Sequence, residues 1–233
     1  GMGPSLTQFG LTGVLADPVA IMFDRDTPLA TNDNWGGATA TSDRAVQVGA
    51  FSFASAGSLD AALAVAPAFG SYTVQIAGRT GGTGIALAEI YDAVATGAYT
   101  PTTPRLVNVS ARTEVGAGSD ILIAGFYLGG TTAKTVLIRA VGPTLAVFGV
   151  TDTLADPKLQ LFSGATLIGE NDNWGGDTGL TSVGDMVGAF RLANATSGDA
   201  VLLATLPPGS YTAQISGAGG GTGVALVEIY EVP

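Results

Sequence analysis

Apolar residues along this chain alternate with polar ones or run in short blocks, and each block is bounded by Gly, Pro, Asn or Asp. That spacing predicts many short strands. Residues 210–216 place Tyr211, Ala213 and Ile215 on one face and Thr212, Gln214 and Ser216 on the other, as a sheet with one wet face requires. Residues 224–230 are apolar at most positions, which predicts a more central strand. Residues 106–109, 121–128 and 135–139 add three more, and Pro207, Pro208 and Gly209 mark a turn between a strand at 201–203 and the Tyr211 strand. Frequent Gly and β-branched residues cut every helical window short. Only 58–64 has helical character, and the related 197–203 reads better as a strand.

The chain repeats itself. Residues 3–92 align with 142–231 at a constant offset of about 139, without a gap and with roughly half the positions identical. Gly3-Pro4-Ser5-Leu6 matches Gly142-Pro143-Thr144-Leu145. Asn32-Asp33-Asn34-Trp35-Gly36-Gly37 recurs intact at 171–176, and Gly81 to Gly84 and Glu89-Ile90-Tyr91 return at 220–223 and 228–230. The copies are unequal: residues 105–141 have no counterpart ahead of Gly3, so the first copy is expected to be an N-terminally truncated unit. The predicted fold class is all-β, two tandem antiparallel β-sandwiches of jelly-roll-like form. The first spans 1–94 and the second 105–233, the latter with extra N-terminal strands. A Thr- and Pro-rich linker at 95–104 joins them.

The motifs of the second copy resemble a repeat found in large secreted or surface proteins of environmental, Verrucomicrobia-like bacteria. They are Leu106-Val-Asn-Val-Ser, 115–126, 134–145, Leu154-Ala-Asp-Pro157, Asn171-Asp-Asn-Trp174 and 221–230. That family has no assigned activity. A second resemblance, to bacterial pre-peptidase C-terminal and collagen-binding domains, covers only the Asp/Asn-aromatic segment and the Gly-x-Tyr-Thr strand. It implies no calcium site, because the metal-ligand pattern is not matched residue by residue.

Composition removes several chemistries. The chain of 233 residues has no His and no Cys, which excludes zinc sites built from them, a thiol nucleophile, disulfides and an imidazole base. Its net charge is -10, with only 12% charged residues, which argues against a nucleic-acid partner. No apolar run reaches the roughly 20 residues of a membrane helix, and no signal peptide opens the sequence.

The Asn-Asp-Asn-Trp segments are the most suggestive polar features. Asn32, Asp33 and Asn34, and in the second copy Asn171, Asp172, Asn173 and Asp177, offer oxygens at the close spacing a hard cation such as Ca²⁺ takes. Each segment holds only one or two carboxylates, and no EF-hand spacing is present. An Asx-type turn with the Trp at the core edge is therefore preferred, and ligand contact by Trp35 and Trp174 is a further alternative. The Gly-rich stretches 78–84 and 217–223 precede strands and lack Lys, so they read as turns and not as phosphate loops. Tyr72, Tyr127, Tyr211 and the two Trp could make a sugar-stacking platform, but core packing is preferred. Asp17, Asp60, Asp156 and Asp199 are duplicated acids with nothing to bring them together. Glu89 and Glu228, inside apolar strands, read as edge-strand charges, with Arg139 or Arg112 as the alternative partner.

No catalytic residue and no organic cofactor is expected, and Ca²⁺ is the one candidate metal. The expected function is a non-catalytic, extracellular or cell-surface structural or adhesive module. The alternative is a carbohydrate- or calcium-dependent binding module accessory to an exported enzyme. Expected partners are neighbouring domains of the same polypeptide, a polysaccharide or protein surface, or a second copy through exposed edge strands, with no insertion into a membrane.

Overall fold

A computed structural model describes residues 1–94, 97–100 and 102–233. The chain forms two compact units, Gly1–Leu106 and Val107–Pro233. Of the linker expected at 95–104, residues 95, 96 and 101 lie outside the described residues.

The first unit contains β1 (Pro18–Asp24), β2 (Thr27–Asn32), α1 (Thr39–Val48) and β3 (Thr73–Gly78). The three strands make one antiparallel sheet in the order β2-β1-β3. Alternate residues of β1 (Pro18, Ala20 and Met22) are buried, as a strand with one covered face requires.

The second unit contains β4 (Asn108–Val115), β5 (Leu122–Leu128), β6 (Lys134–Val141), β7 (Pro157–Ser163), β8 (Thr166–Asn171), α2 (Thr178–Val187), β9 (Ala200–Leu206), β10 (Gly209–Gly217) and β11 (Gly223–Val232). Its strands form two antiparallel four-stranded sheets, β5-β10-β7-β8 and β4-β11-β6-β9. Inward residues of both sheets, among them Leu159, Leu161, Ala213 and Ile215 from one and Val136, Ile138, Ala225 and Val227 from the other, build a single core. The fold class is all-β.

The helices depart from the sequence expectation. Residues 58–64 are not helical, whereas α1 and α2 follow directly after the Asn-Asp-Asn-Trp-Gly-Gly segments. α2 contains Gly179 and Gly184 and buries little beyond Gly184, so its pattern is weak. It is held by its ends. Asp177 caps the first turn, Gly188 closes the last at φ 75°, and its side rests on β11.

The two copies differ in how much of the sandwich they complete. β2, β1 and β3 match β8, β7 and β10. The counterparts of β9 and β11, residues 61–67 and 84–93, run without a strand ladder apart from the single bridges Met2–Leu87 and Val14–Ile85. The reason lies in the order β4-β11-β6-β9. β6 is the strand on which both β11 and β9 pair, and β4 and β6 come from the stretch that only the second copy has.

Candidate functional site

Each Asn-Asp-Asn-Trp segment leaves the end of a strand and is tied to the chain about 30 residues later. In the second unit the Nδ2 of Asn171 donates to the carbonyl of Asn173 at 3.0 Å, and its Oδ1 accepts from the N–H of Val201 at 2.9 Å. Asn32 makes the same pair of bonds to Asn34 and Ala62, both at 2.9 Å. The Trp174 N–H donates to the carbonyl of Asp199 at 2.8 Å, and its Nε1 donates to the carbonyl of Asn194 and the hydroxyl of Ser197, both at 3.1 Å. Trp35 donates likewise to Asp60 and Ser55, and its ring lies 5.0 Å from that of Phe53.

The acids of these segments point to separate tasks. Asp177 Oδ1 accepts from the N–H groups of Gly179 at 2.6 Å and Leu180 at 3.3 Å, capping α2. Asp33 pairs with Arg79 at 2.8 Å on the surface, where such a pair adds little stability. Asp172 and Asn173 are exposed, and Asn34 is half-buried. Among the described residues no group of three or more acidic side chains gathers as a metal site would. In each segment the Asn side chain donates to the carbonyl two residues on and accepts from an N–H about 30 residues later, tying the segment to that part of the chain.

Beneath each turn lies a buried carboxylate whose partners the sequence spacing did not reveal. Asp199 is wholly buried. Its Oδ1 accepts from the N–H groups of Gly142 at 2.9 Å and Thr144 at 3.4 Å. Its Oδ2 accepts from the hydroxyls of Thr144 at 2.5 Å and Ser197 at 2.6 Å. The Thr144 hydroxyl in turn accepts from the N–H of Ala193 at 2.8 Å. Asp60 repeats this cage with the N–H groups of Gly3 and Ser5 and the hydroxyls of Ser5 and Ser58.

Burial pushes the Asp60 carboxyl up, but the donors from Ser5, Ser58 and Gly3 outweigh it and hold it below the usual carboxylate range. The first residue of the Gly-Pro-Ser/Thr-Leu motif must be Gly for a steric reason. A Cβ on Gly142 would lie 2.1 Å from the carbonyl oxygen of Leu154. The available signal was the joint recurrence of Gly-Pro-Ser/Thr, Ser and Asp in both copies.

Glu228 corrects an expectation. It sits on β11, flanked by β4 and β6, and not on an edge. Its carboxylate meets Arg139 at 2.6 and 2.8 Å with both side chains about 5% exposed. The Arg139 guanidinium also donates to the carbonyl of Phe190 at 2.5 Å and lies 4.3 Å over that ring. The Tyr230 hydroxyl donates to Glu228 at 2.7 Å; burial and then that carboxylate push its pKa up. In the first unit Tyr91 donates to Glu89 at 2.7 Å and is pushed up to about 12 by the same causes.

The other singled-out residues are dispersed. Tyr211 is buried and stacks on Phe126 at 5.6 Å, its hydroxyl on the carbonyl of Pro207, while Tyr127 is exposed. Tyr72 donates to the carbonyl of Ala68. Within the second unit Tyr211 therefore belongs to the core and Tyr127 to the outer face. The Gly-rich stretch at 217–223 makes a single 3-10 turn, Ala218–Gly220, and passes into β11. A shallow cleft of about 200 Å³ lies beside α2, lined by Arg139, Trp174, Leu180, Asp185, Phe190 and Arg191.

No protein-family model and no curated protein matches the chain. Among solved structures it is similar to the pre-peptidase C-terminal domain of a collagenase from Bacillus anthracis, at 11% identity and a TM-score of 0.33. That likeness covers 53% of this chain and 89% of the other. No helix among the described residues is long and apolar enough to cross a membrane.

Proposed function

We propose that the chain is a non-catalytic structural or adhesive repeat module of a larger extracellular or cell-surface protein. One observation carries this reading. The polar residues that the copies share bind backbone groups of their own unit. Asn171 clasps β9, Asp199 cages the Gly142 turn, and Trp174 donates to the segment between α2 and β9. Side chains held in this way stabilise a scaffold and leave few free donors or acceptors for chemistry. The partners of such a module are the neighbouring domains of its polypeptide.

The test is a thermal-unfolding series of the full chain in Ca²⁺ and in EDTA. The expected result is one melting curve for both. A rise in Tm that grows with the logarithm of Ca²⁺ concentration, as ligand linkage demands, would sink the reading and support Asn171, Asp172, Asn173 and Asp177, with Asn32, Asp33 and Asn34, as ligands.

The second reading, a carbohydrate-binding module accessory to an exported enzyme, is favoured by the cleft beside α2, where Trp174 is half-buried and stands near Asp185 and Arg191. Trp fluorescence titrated against a panel of polysaccharides decides it. A saturable shift that Trp174→Phe removes supports binding there.

A further inference from the structure

We infer that the cleft beside α2 is a site for one neutral sugar ring at the end of a glycan, and that Leu192 is the residue that opens it. This deepens the second reading above and rests on it. Residues 142–231 each have a counterpart about 139 positions earlier, so each copy shows what the other lacks.

At the cleft the copies part. Trp35 of the first copy is covered by Phe53, with ring centroids 5.0 Å apart and planes tilted by 45°. The counterparts of that pair, Trp174 and Leu192, both line the cleft. Leucine is smaller and has no ring, so the space beside tryptophan that an aromatic ring fills in the first copy is open in the second. The Trp174 Nε1 is already engaged by the carbonyl of Asn194 and the hydroxyl of Ser197, which leaves the ring face for a ligand. The cleft is about 200 Å³, below the ~300–1,000 Å³ of sites that take drug-sized ligands. A single ring suits that size, and an extended chain does not.

The rim differs in chemistry as well. Arg191 Nε donates to Asp185 Oδ1 at 3.2 Å and its Nη2 to Oδ2 at 2.7 Å, where the first copy has Ser52 and Val46. This pair is no part of the scaffold that the copies share. The Arg191 and Asp185 side chains are 73% and 44% exposed, and an ion pair so placed adds little stability. A guanidinium and a carboxylate hold more donors and acceptors than their two mutual bonds use. Opposite charges on one rim favour a ligand without net charge that donates and accepts at adjacent atoms, as neighbouring ring hydroxyls do. The buried Arg139 does not alter this, because Glu228 and the carbonyl of Phe190 already hold it. A pyranose meets both demands, with its C–H face on the aromatic ring and its hydroxyls at the rim. An aromatic side chain of a partner protein meets only the first.

The test uses the full chain in a Trp35→Phe background, which leaves Trp174 as the sole tryptophan. It is titrated with methyl glycosides of glucose, galactose, mannose and N-acetylglucosamine, with the matching oligosaccharides, and with N-acetylphenylalaninamide. The expected result is a saturable shift in fluorescence with at least one glycoside, at the same Kd per chain end for its oligosaccharides. Leu192→Phe, which installs the ring of the first copy, is expected to remove the shift while the urea midpoint of the second unit holds. Asp185→Asn, at an exposed side chain, is expected to weaken binding about tenfold and decides the matter should Leu192→Phe not fold. The inference is overturned if only the longer oligosaccharides bind, or if Leu192→Phe or Asp185→Asn binds as tightly as the parent; the carbohydrate reading then survives with a different site. It is also overturned if N-acetylphenylalaninamide saturates the site and no glycoside does, which would make a protein side chain the occupant. No response to any glycoside, oligosaccharide or polysaccharide removes the inference and the second reading together.

Discussion

A carboxylate with no exposure survives in the ionised form only where donors surround it. Asp199 has four, from Gly142, Thr144 and Ser197, and losing it strands them all. Asp199→Ala is expected to lower the unfolding free energy by about 3 kcal/mol, measured by urea denaturation. In the first unit the Asp60 carboxyl lies below its ordinary range when folded, so the unfolded chain takes up its proton more readily. The stability this contributes is present above the unfolded value near pH ~4 and is lost as pH falls through the folded value. Trp35 fluorescence in a Trp174→Phe background should show the acid branch of the urea midpoint flattened by Asp60→Asn. A midpoint that falls equally in both proteins would refute this. Alternation and duplication made the sheets legible from the sequence, because side-chain facing follows a period of two. The cages were not legible, since each joins residues 55 to 57 apart in the chain and no local period records such a contact.

At the scale of elements, the helices are where local preference and final structure part. α1 and α2 occupy the same place in their units, yet α2 begins at Asp177 and α1 at Ala38, with nearly the same backbone angles, φ -62° and ψ 118° against φ -60° and ψ 119°. An acceptor side chain at that angle meets two free N–H groups. Ala38→Asp is therefore expected to stabilise the first unit by about 1 kcal/mol, read as a rise in its urea midpoint, while the second unit stays unmoved. The single Asp177 also explains why the calcium reading was available from sequence: a helix cap and a cation ligand draw on the same short oxygen-bearing side chains. The pairing of β6 with β11 gives a second test. Glu228→Gln leaves the Arg139 charge buried without its counter-ion and is expected to cost about 3 kcal/mol. The joint replacement Arg139→Met with Glu228→Met should recover most of that loss in the same denaturation assay. Equal losses in both would mean that the pair stabilises in its own right.

For the whole molecule, the copies are one sequence pattern with and without β4, β5 and β6. The second unit encloses a core between two sheets, while the first leaves Phe69, Phe51, Ile90 and Val65 half-exposed or more. Apolar area removed from water sets most of the difference in stability. Calorimetry should resolve two transitions, with hydrogen exchange assigning the lower to Gly1–Leu106, whereas a single transition would mean that the units unfold as one. The ladder between β4 and β11 bears on how the second unit meets force. Val107 and Glu231 are hydrogen-bonded neighbours at 2.9 Å, and Asn108 opposes Tyr230. The chain therefore enters and leaves Val107–Pro233 at the same end of one strand pair. Tension applied through those two points falls on one rung at a time and opens the ladder as a zip opens, whereas strands pulled past one another would share the load across every rung. Such a ladder is expected to open at low force and to re-form when the load is removed, which force spectroscopy on Val107–Pro233 would read as a low unfolding force.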